Sequence, residues 1–193
     1  MEQLKRLDSL VIREKSEYAG VPATWKLKPT CCLADVSGEE LYYVVPEKGI
    51  SLGLDVLKVS RTFTIYLVNR KGEEVLFFVK KFGFFENKME VFDGNENLLG
   101  SILKNAGHSK SSFRILDAAN RPLYEIDGPA EAPEVFHIHK NGVVVGKMSQ
   151  KLAGAVEKGI FKSSHFGIIF PLGAEMEEKS ILVGALFLID SLF

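Results

Sequence analysis

Cysteine is scarce in this chain of 193 residues. The only two, Cys31 and Cys32, are adjacent. Neighbouring residues do not easily reach disulfide geometry, and one pair without Cys-x-x-Cys spacing does not build a zinc site. The composition therefore excludes a disulfide scaffold and fits a reducing compartment. We expect one thiol of the pair to be buried and the other exposed; the alternative, acylation of the pair at a membrane, stays open.

An excess of charge of either sign is also missing, since 24 lysines and arginines stand against 25 aspartates and glutamates. A formal net charge of -1 lacks the positive field of an unspecific nucleic-acid binder. The one membrane-like run, from Ile181 to Phe193, carries Asp190 and is shorter than the roughly 20 apolar residues that cross a bilayer. Charges interrupt the first apolar stretches, so we expect no secretion and a protein that is cytoplasmic or peripheral at a membrane.

Signatures of catalysis are missing as well. The chain has no G-x-S-x-G, no P-loop and no HExxH motif, so we predict no catalytic residue and no enzymatic activity. His137 and His139 share one face of a predicted strand, where such a pair can chelate a metal. No third ligand is evident, and two surface histidines are the favoured interpretation. We therefore predict no metal site.

Short alternating segments joined by polar turns are abundant, and they indicate β-hairpins. Between Arg61 and Lys151 the unit recurs four times, as FTIYLVN with EVLFFVK, KMEVFD with LLGSILK, SSFRILD with LYEID, and EVFHIHK with VVVGKMS. LVIRE, ATWKLKP and ELYYVVP predict strands upstream and FGIIFP predicts a last one, about twelve in all. A short helix is predicted over Gly53 to Ser60.

The period changes in the last segment. Glu175 to Phe193 has no β-turn residue and is apolar almost all round, which is typical of a helix buried on every side. A barrel of about twelve strands is wide enough to enclose a helix. We predict a mainly β fold, an antiparallel twelve-stranded barrel enclosing a hydrophobic C-terminal helix, in a single domain over residues 1–193. The residues expected at its centre are Ile181, Leu182, Val183, Leu186, Phe187, Leu188 and Ile189.

Three stretches carry a family likeness. VGKMS from Val145, FGIIFPL from Phe166 and GALFLID from Gly184 resemble, in order and spacing, the C-terminal signature of phospholipid scramblases. That family is grouped with tubby-like and LURP-one-related proteins, and the resemblance implies their twelve-stranded barrel around a C-terminal helix. It also implies a membrane-associated protein that binds phospholipids or moves them between leaflets, with anionic phospholipid membranes as partners. The alternative is a soluble tubby-like or LURP-one-related binding module without lipid transport.

The chain departs from the family where the resemblance would place a Ca²⁺ loop. The family has an acidic run just before the FG pair, whereas this chain has Lys162, Ser163, Ser164 and His165. Calcium needs several hard oxygen ligands, usually including carboxylates. We therefore expect no Ca²⁺ binding at this loop and predict no cofactor.

One loop has the residue types of a membrane contact. Lys80 and Lys81 precede Phe82, Phe84 and Phe85 between two predicted strands. A basic pair beside aromatic side chains is typical of interfacial anchors. The alternative is a cap in which the phenylalanines pack inward at the end of the barrel. We predict that any membrane contact runs through Lys80 to Phe85.

Overall fold

The computed structural model describes residues 2–14, 31–47, 62–81, 88–105, 110–129, 134–152 and 165–192. In these ranges a short helix, α1 (Glu2–Lys5), comes before the strands, and a long helix, α2 (Met176–Leu192), follows them. The strands are β1 (Ser9–Glu14), β2 (Cys31–Ala34), β3 (Glu40–Pro46), β4 (Phe63–Asn69), β5 (Glu74–Lys81), β6 (Lys88–Asp93), β7 (Leu98–Lys104), β8 (Lys110–Asp117), β9 (Pro122–Pro129), β10 (Val135–Lys140), β11 (Val143–Ser149) and β12 (Gly167–Ile169).

The strands form a closed barrel in which each strand pairs antiparallel with its neighbours in the chain. The barrel closes where β1 meets β12, with Leu10 opposite Ile168. Closure leaves no strand edge unpaired. The predicted mainly β fold with twelve strands is confirmed, although β2 was not predicted as a strand. The predicted strand ATWKLKP and the helix predicted over residues 53–60 lie outside the described residues.

The connections define two ends of the barrel. The hairpins β2–β3, β4–β5, β6–β7, β8–β9 and β10–β11 all turn at one end, called here the hairpin end. At the opposite end, called the loop end, β5 finishes at Lys81 and β6 begins at Lys88. Because α2 follows β12 and runs back through the barrel, its first turn lies at the hairpin end and its last turn at the loop end.

Four hairpin turns repeat one geometry. In each, the side chain of the first residue accepts hydrogen bonds from the N–H groups two and four positions later, which stabilises a three-residue loop. The residue three positions after the first has a positive φ, between 61° and 87°. The first residues are Asp35, Asn69, Asp93 and Asp117.

The helix α2 lies in the core of the barrel. The seven residues predicted for its centre are all at most 1% exposed. The ring of Phe187 packs edge-on against Phe78 of β5 at 5.3 Å. A Cβ atom at Gly184 would lie 2.8 Å from a methyl group of Val91, so the helix approaches β6 at a distance that only glycine permits. Among the described residues, no helix combines the length and apolar character needed to cross a bilayer.

Polar contacts hold α2 at the hairpin end. The Lys179 ammonium is buried and donates hydrogen bonds to the carbonyl oxygens of Lys5 and Leu7, at 2.8 and 2.7 Å. The Glu178 carboxylate accepts from the Glu175 N–H at 3.1 Å and from the Tyr124 hydroxyl at 2.9 Å. A carboxylate in the first turn also interacts favourably with the helix dipole. These contacts join α2 to α1 and to β9.

Candidate functional site

Lys80 and Lys81 end β5 at the loop end, but they do not share a surface. Successive strand residues point to opposite faces. Lys80 points into the barrel, is only 5% exposed, and its ammonium lies 5.6 Å from the centre of the Phe63 ring. Lys81 is exposed on the outer face. The prediction that these lysines act side by side on one exposed surface is therefore wrong, and only Lys81 is placed for it.

The outward lysine is partly neutralised. The Glu90 carboxylate lies 2.7 Å from the Lys81 ammonium and 3.0 Å from that of Lys88. Lys81 and Lys88 are also register partners across β5 and β6. Burial alone would raise the pKa of Glu90, but its hydrogen bonds and charge interactions with the two lysines outweigh burial and lower it. The outer face at this point thus carries two cations and one carboxylate.

Lysine recurs at the loop end of four successive strands, β5 to β8. Within the described part of these strands, Glu90 is the one carboxylate in the loop-end half. Four of the lysines sort by face: Lys81 and Lys88 lie outward beside Glu90, and Lys80 and Lys104 occupy inward positions. We call this set the lysine arc; its members are Lys80, Lys81, Lys88, Lys104 and Lys110.

The inward lysines influence each other. Burial lowers the pKa of Lys80, and the positive charge of Lys104 lowers it further. Desolvation and a like charge both disfavour the charged form of an amine. Sequence reasoning missed Lys104, although its position two residues beyond the apolar Ile102 in an alternating strand would have placed it on the inward face.

The predicted aromatic members of the membrane contact, Phe82, Phe84 and Phe85, lie outside the described residues. Lys81 and Lys88, which flank them in the chain, lie at the loop end. The aromatic part of the predicted contact therefore stays a prediction.

A buried carboxylate closes the loop end of α2. Asp190 accepts a hydrogen bond from the Phe166 N–H at 2.8 Å, and its other oxygen lies 3.2 Å from Nδ1 of His165. The side chains of His165 and Asp190 are 5% and 1% exposed. Burying a carboxylate without such partners costs several kcal/mol, roughly, so these contacts explain how an apolar helix accommodates Asp190. The pairing attaches the start of β12 to the last turn of α2.

This pairing bears on the loop expected not to bind Ca²⁺. His165 is buried, and one of its ring nitrogens faces Asp190. Lys162, Ser163 and Ser164 lie outside the described residues. In the ranges that the structure describes, no three His, Cys, Asp or Glu side chains are grouped so that they could hold a metal ion.

His137 and His139 lie on the outer face of β10. Their ring centres are 6.4 Å apart, and Nε2 of His139 lies 2.7 Å from a carboxylate oxygen of Asp127 on β9. His137 is exposed, whereas His139 is half-buried. The contact with Asp127 was not predicted because β9 and β10 place these residues together only through their register.

The cysteines differ from expectation. Cys31 is 4% exposed and belongs to the core inside the barrel. Cys32 is 1% exposed and packs on the outer face with Tyr43, Val45 and Val68. The expectation of one exposed thiol is wrong, because residues on both faces of β2 are covered.

The hairpin end has a different surface. Every large apolar side chain that is exposed in the described residues lies there, and Leu172 is 100% exposed. Leu172 projects from a turn in which the Ala174 N–H donates to the Pro171 carbonyl oxygen and Gly173 has a φ of 74°. The exposed apolar residues are Val36, Leu98, Val143, Val144 and Leu172.

Comparison with known proteins gives a consistent assignment. A family model described as Scramblase matches residues 1–193. Human phospholipid scramblase 1 is 21% identical over 207 residues, which cover 100% of this chain and 65% of that protein, so the chain covers less than two thirds of it. Human phospholipid scramblase family member 5 is 21% identical with 76% of its length covered, and bovine phospholipid scramblase 2 is 22% identical with 70% covered. No solved structure matches.

Proposed function

The chain belongs to the Scramblase family, and from this premise we propose that it acts peripherally at membranes, where the loop end of its barrel binds anionic phospholipids. The lysine arc carries the proposal. A lysine near an anionic membrane surface contributes about 1 kcal/mol, so several lysines at one end support weak, reversible docking. The predicted phenylalanines of residues 82–85 would add a hydrophobic contribution to this docking.

Lipid movement, in this proposal, takes place at the outside of the barrel. The interior is occupied by α2, which packs closely around Gly184. A route through the interior would require α2 to leave and would expose the inward apolar side chains of the strands. The proposed activity breaks no covalent bond, so we propose a lipid-binding or lipid-moving protein rather than an enzyme.

We further propose that this activity does not depend on Ca²⁺ at residues 162–165. The segment has no carboxylate, and hard cations such as Ca²⁺ need oxygen ligands. Titration calorimetry of the wild-type chain should detect no stoichiometric micromolar Ca²⁺ binding. Binding of that strength that is lost when Lys162, Ser163 and Ser164 are replaced by alanine would contradict the proposal.

A second candidate function is supported by the hairpin end. Exposed apolar side chains gathered at one end of a monomer are typical of surfaces that bind other proteins. Under this alternative the barrel is a soluble binding module and lipid binding is absent. The two candidates place the functional surface at opposite ends.

Vesicle co-sedimentation separates these candidates. We expect the wild-type chain to sediment with phosphatidylcholine vesicles that contain phosphatidylserine, to bind pure phosphatidylcholine vesicles more weakly, and to lose affinity as salt screens the lysines. Addition of Ca²⁺ should change neither result. If the folded chain, checked by circular dichroism, binds neither type of vesicle at low salt, the membrane proposal is wrong and the binding module is favoured.

A further inference from the structure

The lysine arc contains two different kinds of cation. The outward members Lys81 and Lys88 share the Glu90 carboxylate and lie on the open face of the sheet. The inward members Lys80 and Lys104 lie at the mouth of the barrel. Two residues before them, Phe78 and Ile102 are completely buried against the core. Both ammonium groups therefore extend from the apolar interior toward the loop end.

The strand order brings the two inward lysines together. Lys80 pairs with Met89 on β6, and Met89 pairs with Ile102 on β7. Lys104 lies on the same face of β7, one inward position nearer the loop end than Ile102. Long side chains on alternate strands reach each other at such a separation, and the effect of the Lys104 charge on the pKa of Lys80 agrees with this.

The surroundings of the pair are apolar. The Phe63 ring lies beneath the Lys80 ammonium at 5.6 Å, and Met89 is buried between the two strands. Two cations against an apolar wall match a ligand that joins a phosphate to an apolar body. Lysine is a common phosphate-binding residue because it presents a compact positive charge.

We propose that Lys80 and Lys104 form a binding site for the phosphate group of a phospholipid headgroup at the mouth of the barrel. This inference rests on the proposed membrane function and deepens it. A site of this kind binds one phosphate per chain and saturates, whereas the outward lysines attract an anionic surface without saturation by a soluble headgroup. The same chemistry would also accept a free phosphate ester, so the experiment has a separate arm for each source.

The test compares two double variants that remove the same charge. Lys80→Met with Lys104→Met removes the inward pair and keeps side chains of similar length and apolar character. Lys71→Met with Lys147→Met is the matched control, because both of these lysines are exposed and lie outside the arc. Circular dichroism and thermal unfolding establish that each variant is folded. A merely structural role of the inward pair would lower the melting temperature without changing relative affinity for the two vesicle types.

Two measurements are made on each protein. The first is the affinity for phosphatidylcholine vesicles with and without phosphatidic acid, and the second is displacement from those vesicles by glycerol 3-phosphate. We expect the inward-pair variant to lose at least tenfold, roughly, in affinity for phosphatidic acid vesicles, as for charged phosphate contacts generally. Glycerol 3-phosphate should displace the wild type and the control, but not the residual binding of the inward-pair variant.

Three outcomes would overturn the site. In the first, both double variants weaken equally, which indicates diffuse attraction only. In the second, the wild type binds vesicles and glycerol 3-phosphate does not compete. In the third, glycerol 3-phosphate binds but no vesicle does, which assigns the site to a free phosphate ester. A wild type that binds neither vesicles nor glycerol 3-phosphate contradicts the proposed function as well, so the two failures are distinguishable.

Discussion

The two ends of the barrel are built by different kinds of interaction. At the hairpin end, contacts are mostly local: Asp35, Asn69, Asp93 and Asp117 each bind N–H groups two and four residues later. At the loop end, the contacts join residues distant in the chain, as Asp190 does with Phe166. Local contacts make a regular rim, whereas distant contacts gather lysines from several strands. The end that short-range sequence explains least is therefore the end with the candidate site.

The ends also differ in charge, and α2 responds to both. Glu177 and Glu178 occupy its first turn at the hairpin end, where the helix dipole is positive. Its last turn has no basic residue of its own, but Lys80 and Lys104 face the core at that end. The barrel thus provides cations near the negative end of the dipole. Each end of the helix meets charge of the opposite sign.

The largest effect should follow from changing the helix that both ends share. Leu186→Asp puts an unpaired charge in the core, at a cost of several kcal/mol against a total stability of roughly 5 to 15 kcal/mol. We expect loss of the folded state, measured by circular dichroism and by yield of soluble protein. Leu172→Asp is the matched control, because Leu172 is fully exposed and should tolerate the charge. A folded Leu186→Asp protein would contradict the enclosed position of α2.

The next effect should be confined to the loop end. Asp190→Ala leaves the Phe166 N–H and the His165 ring buried without their acceptor, which should lower the free energy of unfolding by about 1–3 kcal/mol per lost contact. Urea denaturation measures the change. Glu178→Ala at the hairpin end is the comparison, and we expect a smaller loss because Glu178 lies nearer to solvent. Equal losses would show that the two ends anchor α2 equally.

A third prediction asks which end touches a membrane. Phe84→Ser with Phe85→Ser removes predicted interfacial aromatics at the loop end, and vesicle affinity should fall at all salt concentrations by about tenfold or more. Lys81→Ser should lower it mainly at low ionic strength, where exposed charges are least screened. Leu172→Ser with Val144→Ser tests the hairpin end in the same assay. If only the hairpin-end variant loses affinity, the assignment of the ends is reversed.

The smallest effect concerns pH and the hairpin turns. Burial raises the pKa of Asp93, but its hydrogen bonds with Asn97 and Asn95 outweigh burial and lower it below 3.8. A depressed folded-state pKa contributes stability above the unfolded pKa, and this contribution is lost as pH falls through the folded value. Asp93→Asn should therefore reduce the loss of stability on acidification below about pH 4, measured by urea denaturation.

The chain itself offers the precedent for that variant. Asn69 occupies the same turn position and makes the same pair of backbone contacts with an oxygen that does not titrate. Asp93→Asn should therefore keep the turn at neutral pH. An unchanged acid dependence would show that Asp93 does not contribute to it.

The sequence predicts the hairpins well because their signals are local. Alternating apolar residues identify β4 to β11, and turn residues such as Asn141 and Gly142 mark where the strands reverse. The strand β2 was missed because Cys31 to Ala34 is buried on both faces and so does not alternate. The helix α2 was predicted because its apolar character extends around its whole circumference.

The candidate site was only partly predictable. The Lys80–Phe85 segment attracted attention by residue type, but the strand period that separates Lys80 from Lys81 was not applied to it. Lys104 and the contact of His165 with Asp190 depend on strand register and on the path of α2, which adjacent residues do not encode. An isolated aspartate in a buried helix did signal that some partner existed. The identity of that partner required the fold.

The position of α2 after β12 has a consequence for synthesis on the ribosome. All twelve strands leave the ribosome before Met176 is added, and β1 waits for β12 before the barrel can close. Until α2 emerges, the inward faces of the strands have no central partner, and apolar surface of this kind promotes aggregation or chaperone binding. The nascent chain therefore completes its fold in one late step. A translational pause before residue 176 should increase its dependence on chaperones.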